Sequence, residues 1–98
     1  MANFQEQPEL VLTQSEDYRD NYSNSVQVRT SVWDFYLAFG TLQPGEGPKI
    51  TVRNFQGVYR SPQQAKALAM MLQQNVANYE QTFGEIKLEP QIGGGPIH

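Results

Sequence analysis

Apolar and polar residues alternate from Ser25 onward: Val26 and Val28 are apolar, Gln27 and Arg29 polar, the period-two pattern of a strand buried on one side. A second apolar run, Phe35-Tyr36-Leu37-Ala38-Phe39, puts Phe35, Leu37 and Phe39 on one face and Tyr36 and Ala38 on the other. Between them, Ser31-Val32-Trp33-Asp34 has the Ser-x-x-acid spacing that starts a helical turn. It predicts the connection of a hairpin, with one continuous bent strand as the alternative. Gly40 to Pro48 is dense in glycine and proline and predicts an exposed loop. A third strand is expected from Lys49, with Ile50 and Val52 facing opposite to Thr51 and Arg53. Gly57, inside the continuation from Asn54 to Arg60, predicts a bulge or break before Val58 resumes the apolar face.

The period then changes to that of a helix, from Ser61 to about Thr82. Ser61 suits the N-cap, Pro62 the first helical position, and Gln64 completes a Ser-x-x-Gln capping box. At 100° per residue, Ala65, Leu68, Ala69, Leu72, Val76, Tyr79 and Phe83 form one apolar stripe. Gly84 follows where a positive-φ C-cap is wanted. Ile86 and Leu88 alternate with Lys87 and Glu89, the pattern of a short last strand. The fold class expected is α+β: a short antiparallel β-meander of about three strands, followed by one C-terminal amphipathic helix packed on one sheet face.

Outside this core the chain is polar. Residues 1–21 form an acidic segment read as flexible, broken by Leu10-Val11-Leu12, which suits a short edge strand or a docking segment; residues 22–89 form the single domain; residues 90–98 are a flexible Gly-rich tail. With 98 residues and no cysteine, the core is small and lacks staples, so oligomerisation is the expected extra source of stability. The net charge of −3 is unevenly spread: residues 1–20 carry −4, residues 21–84 carry +2 and residues 85–98 carry −1. A mildly basic body with acidic ends neither argues for a nucleic-acid partner nor excludes one. No apolar run is long enough for a membrane span, and no basic-then-apolar leader opens the chain, so a cytoplasmic protein is expected.

Catalytic chemistry finds few candidates. The one histidine is His98 in the tail, which leaves no base beside a nucleophile and no metal-ligand spacing. Glu16, Asp17 and Asp20 read as a solvated acidic run, and Asp34, Glu46 and Glu80 fall on separate elements. The glycines between Gly40 and Gly57 match no phosphate-binding fingerprint. The expectation is a protein that is not an enzyme and takes no cofactor.

Two surfaces remain. If the helix covers Val26, Val28, Phe35, Leu37, Phe39, Ile50 and Val52, the other sheet face presents Gln27, Arg29, Tyr36, Thr51, Arg53 and Phe55. Arginines interleaved with aromatics suit single-stranded nucleic acid, a protein partner, a second sheet or plain solvent. The back of the helix carries Ala67, Met70, Met71, Gln74, Ala77 and Asn78, without a charge; it suits a homo-oligomer contact or simple exposure. Trp33 is expected to pack over one end of the core while Asp34 caps local N–H groups.

The stretch Tyr22-Ser-Asn-Ser-Val-Gln-Val-Arg-Thr-Ser-Val-Trp-Asp-Phe-Tyr-Leu-Ala-Phe-Gly40, with Val58-Tyr-Arg-Ser-Pro-Gln-Gln-Ala-Lys-Ala-Leu68 after it, resembles a family of small prokaryotic proteins, domain of unknown function 3467. The resemblance covers Tyr22 to about Ile86 and leaves the tails and the Thr41 to Pro48 loop outside it. It implies no activity and no site residues. The expected function is a small structural or protein-interaction module, working as a homodimer, with single-stranded nucleic-acid binding through Arg29, Tyr36, Arg53 and Phe55 as the alternative.

Overall fold

The computed structural model describes residues 7–45 and 47–88. Three antiparallel strands, β1 (Ser25–Thr30), β2 (Phe35–Gln43) and β3 (Thr51–Arg60), form an open sheet in the order β1-β2-β3, and helix α1 (Pro62–Phe83) follows. The α+β class and the meander agree with the sequence pattern. No strand forms at Leu10-Val11-Leu12 or at Ile86 to Leu88. Glu46 and Glu89 to His98, and with them the Gly-rich tail, lie outside the described residues.

The β1–β2 connection is a tight hairpin turn and not a bent strand. The Ser31 N–H donates to the Asp34 carbonyl at 2.8 Å, and the Ser31 hydroxyl accepts from the N–H groups of Trp33 and Asp34 at 3.0 and 3.1 Å. Ser31, and not Asp34, therefore caps the turn; the Asp34 carboxylate accepts from the Ser31 hydroxyl at 3.2 Å. Trp33 does not cover the core. It stands at the hairpin tip, 81% exposed.

β2 runs four residues beyond Phe39, through Gly40, which the sequence pattern assigns to the loop. The sheet accepts Gly40 because the ladder shifts there: Phe39 pairs with Gln56, Gly40 with Asn54, and Phe55 is left without a partner as a bulge. A Cβ on Gly40 would meet Asn54 Oδ1 at 2.5 Å and the Arg53 carbonyl oxygen at 2.6 Å. Ser23 and Asn24 reach the same point from the other side. The Gly40 N–H donates to the Ser23 hydroxyl at 3.1 Å, the Asn24 N–H donates to the Gly40 carbonyl at 3.2 Å, and the Leu42 N–H donates to Asn24 Oδ1 at 2.9 Å. Gly57, by contrast, keeps its place opposite Ala38, so the irregularity lies two residues before the expected position.

The helix begins and ends near the positions its periodicity predicts. Ser61 Oγ accepts from the Gln64 N–H at 3.1 Å, and the Gly84 N–H donates to the Glu80 carbonyl at 2.9 Å with φ at 104°. The reciprocal half of the capping box does not form, because Gln64 is taken by Arg60: Nη2 donates to Gln64 Oε1 at 2.9 Å and to its carbonyl at 3.2 Å.

The largest departure from expectation is that α1 does not pack on the sheet of its own chain. It buries no residue. Along the stripe Leu72 is 56% exposed, Val76 44%, Tyr79 51% and Phe83 72%, while only Ala65 and Leu68, near the junction with β3, are partly covered. The connection is short. Ser61 alone joins β3 to α1, against the ~2–6 residues common between strand and helix, which leaves little chain for the helix to turn back over the sheet. Among the described residues, Ala38 is the only hydrophobic side chain buried to the level of a core.

Candidate interaction surfaces

The register fixes which side chains share a sheet face. Directly paired residues project to the same side, so Val26 and Phe39, Val28 and Leu37, and Leu37 and Val58 build one apolar face, with Phe35 at its end. None of these side chains is buried. Phe35, Leu37 and Phe39 therefore lie together as the alternation predicts, but among the described residues they are only partly covered.

On the opposite face, Arg29, Tyr36 and Tyr59 form one row across the three strands. The Arg29 guanidinium lies 4.7 Å from the Tyr36 ring centre, and the Tyr36 and Tyr59 rings are 4.6 Å apart and tilted by 46°. The absent Cβ of Gly57 makes this possible: a side chain there would land in the Tyr36 ring. Tyr59 was not among the residues singled out from sequence, although it falls on the alternation of β3 and its pairing with Tyr36 follows once the register is known.

The bulge at Phe55 reverses the alternation for the rest of β3. Arg53 pairs with Thr41 and Thr51 with Gln43, which puts both on the apolar face, while Val52 pairs with Leu42 on the face of Tyr36. The expected set Arg29, Tyr36, Arg53 and Phe55 is therefore not one surface. Arg29 and Tyr36 stay together, Arg53 lies behind them, and Phe55 is the unpaired bulge residue. Ile50, expected beneath the helix, precedes β3 and is exposed. A one-residue insertion in pairing leaves no mark on the period of a strand this short, and so could not be located from the sequence.

Helix α1 presents two uncovered sides. Ala67, Met70, Met71, Gln74, Ala77 and Asn78 are exposed on the back, where Gln74 Nε2 donates to Asn78 Oδ1 at 3.2 Å. The apolar stripe is open as well, with Tyr79 and Phe83 one turn apart and their ring centres 4.9 Å from each other. Exposure does not set the back apart; the stripe is the more apolar of the two.

Other features offer little chemistry. A wide concavity of about 650 Å³ is lined by residues 21–26 and Phe39, and no charged side chain enters it. Asp34 is held in the hairpin turn, and Glu80 accepts from the Ile86 N–H at 3.0 Å. In the acidic segment, the Tyr18 hydroxyl donates to Asp20 at 2.9 Å, and this bond, followed by the carboxylate charge, raises the phenol above its ordinary value. Among the described residues, no three His, Cys, Asp or Glu side chains gather to hold a metal ion, and no helix is long and apolar enough to cross a membrane.

No match to the chain was found among curated proteins or among solved structures. One family model matches, over residues 2–88. It takes in the acidic N-terminal segment and the Thr41 to Pro48 loop, both of which the resemblance in sequence left outside. The match spans most of the 98 residues, and the chain belongs to the family described as protein of unknown function, DUF3467.

Proposed function

We propose that the chain is a small structural or protein-interaction module that carries no catalysis, works in the cytoplasm and acts as a homodimer. One observation carries this reading: a single copy leaves most of the apolar stripe of α1 exposed and the apolar face of the sheet only partly covered, and Ala38 is its sole core side chain among the described residues. A small sheet draws its stability from its hydrophobic face or from a helix packed on it, and a helix of α1's length gains most of its stability from burying an apolar face. A second copy supplies both. The split of Arg29 from Arg53 by the bulge removes the continuous Arg/aromatic face on which a nucleic-acid role rested.

Sedimentation across a range from nanomolar to high micromolar tests the reading. The expected species has twice the chain mass of 11.1 kDa. A folded monomer at high micromolar concentration would overturn it.

A further inference from the structure

Resting on the homodimer proposed above, we infer that each copy lays α1 across the apolar sheet face of the other, in a reciprocal exchange. Leu72, Val76, Tyr79 and Phe83 are the side chains that dock. The face that receives them in a second copy is built by Val26, Val28, Leu37, Phe39 and Val58.

Three observations favour this arrangement over other pairings of the same surfaces. Among the described residues α1 does not cover its own sheet: Ser61 is the whole connection, and Arg60 bonds to Gln64 across the junction. The dimensions agree. The stripe from Leu72 to Phe83 is ~18 Å long, and the apolar part of the sheet face, Phe35 to Phe39 along β2, is ~17 Å long, so the stripe of one copy matches the apolar face of another; beyond the bulge that face carries Thr51 and Arg53. Finally, the exchange covers both open surfaces in both chains at once, as a two-fold operation requires. Helices pairing with helices would leave the sheet faces open, and sheets stacking on sheets would leave the stripes open.

The area is sufficient. A helix ~33 Å long and ~10 Å wide covers on the order of 300 Å² of each surface, polar positions included, so two reciprocal contacts remove roughly 1,200 Å² from water, at the lower edge of the ~1,200–2,000 Å² range of stable complexes.

The chain has no cysteine, so single cysteines report contacts without background. Val28→Cys protein is mixed and refolded with Leu72→Cys, Val76→Cys or Phe83→Cys protein, and each mixture is treated with a short bifunctional maleimide. Every variant is first sedimented. The expected product links the sheet cysteine of one chain to the helix cysteine of the other, exceeding either self-linked product several-fold in at least one mixture. Preferential self-linking of the helix variants would overturn the exchange in favour of helix on helix, and preferential self-linking of Val28→Cys in favour of sheet on sheet. A sedimenting dimer with no helix-to-sheet product in any mixture would also overturn it. Sedimentation of the unaltered chain as a monomer would instead sink the homodimer itself, so the two failures are told apart.

Discussion

Gly40 sits where Ser23, Asn24 and Asn54 converge on β2, with the Arg53 carbonyl close behind. Its φ is not in the positive region, so its need for glycine is steric. A methyl group there has to displace the backbone of β3 at the bulge. Gly40→Ala is expected to destabilise the protein by about 1–3 kcal/mol, measured by chemical or thermal denaturation. Gly57 has the opposite relation to its neighbour, since what would be displaced is the ring of Tyr36, and with it the row that runs from Arg29 to Tyr59. Trp33 is large but has little to lose, because the turn it occupies is held by Ser31 and not by the indole. Trp33→Ala should change stability by no more than about 0.5 kcal/mol. A larger loss in denaturant titration would mean that the hairpin tip is covered in the assembled protein.

At the scale of elements, the junction of β3 with α1 decides most. Ser61 both ends the strand and caps the helix, and Arg60 braces the first turn. Ser61→Ala removes the acceptor for the Gln64 N–H and should cost about 1 kcal/mol in a denaturation experiment. The two sides of α1 are distinguishable by charge insertion. Leu72→Asp puts a carboxylate into the stripe and should weaken association by at least about 100-fold, since a buried unpaired charge is expensive. Met71→Glu on the back should leave the association constant within about threefold. Analytical ultracentrifugation of both variants checks the pair. Loss of association in Met71→Glu with none in Leu72→Asp would assign the contact to the back of the helix.

For the whole molecule, a chain with one buried apolar side chain among its described residues has little to hold it folded by itself. If two copies complete each other's core, folding and association are one event, and the thermal midpoint must rise with protein concentration. Differential scanning calorimetry over a hundredfold range of concentration is expected to show that rise. A midpoint independent of concentration would require a core within one chain, such as α1 folding back after all.

The sequence by itself determined the elements. Alternation placed β1, the first half of β2 and, on β3, Val58 but not Ile50 or Val52, and Ser61, Pro62 and Gly84 marked the ends of the helix to within a residue, because these signals depend on neighbours along the chain. It did not determine the bulge opposite Gly40, since a shift in pairing is a property of two strands and is written in neither alone. For that reason Arg29 and Tyr36 were correctly placed together and Arg53 was assigned to the wrong side. Nor did it determine where the apolar stripe goes. Periodicity shows that Leu72, Val76, Tyr79 and Phe83 share a face that favours burial. Only the tertiary structure decided that their own sheet does not provide it, since α1 leaves β3 after one residue and does not turn back over the sheet.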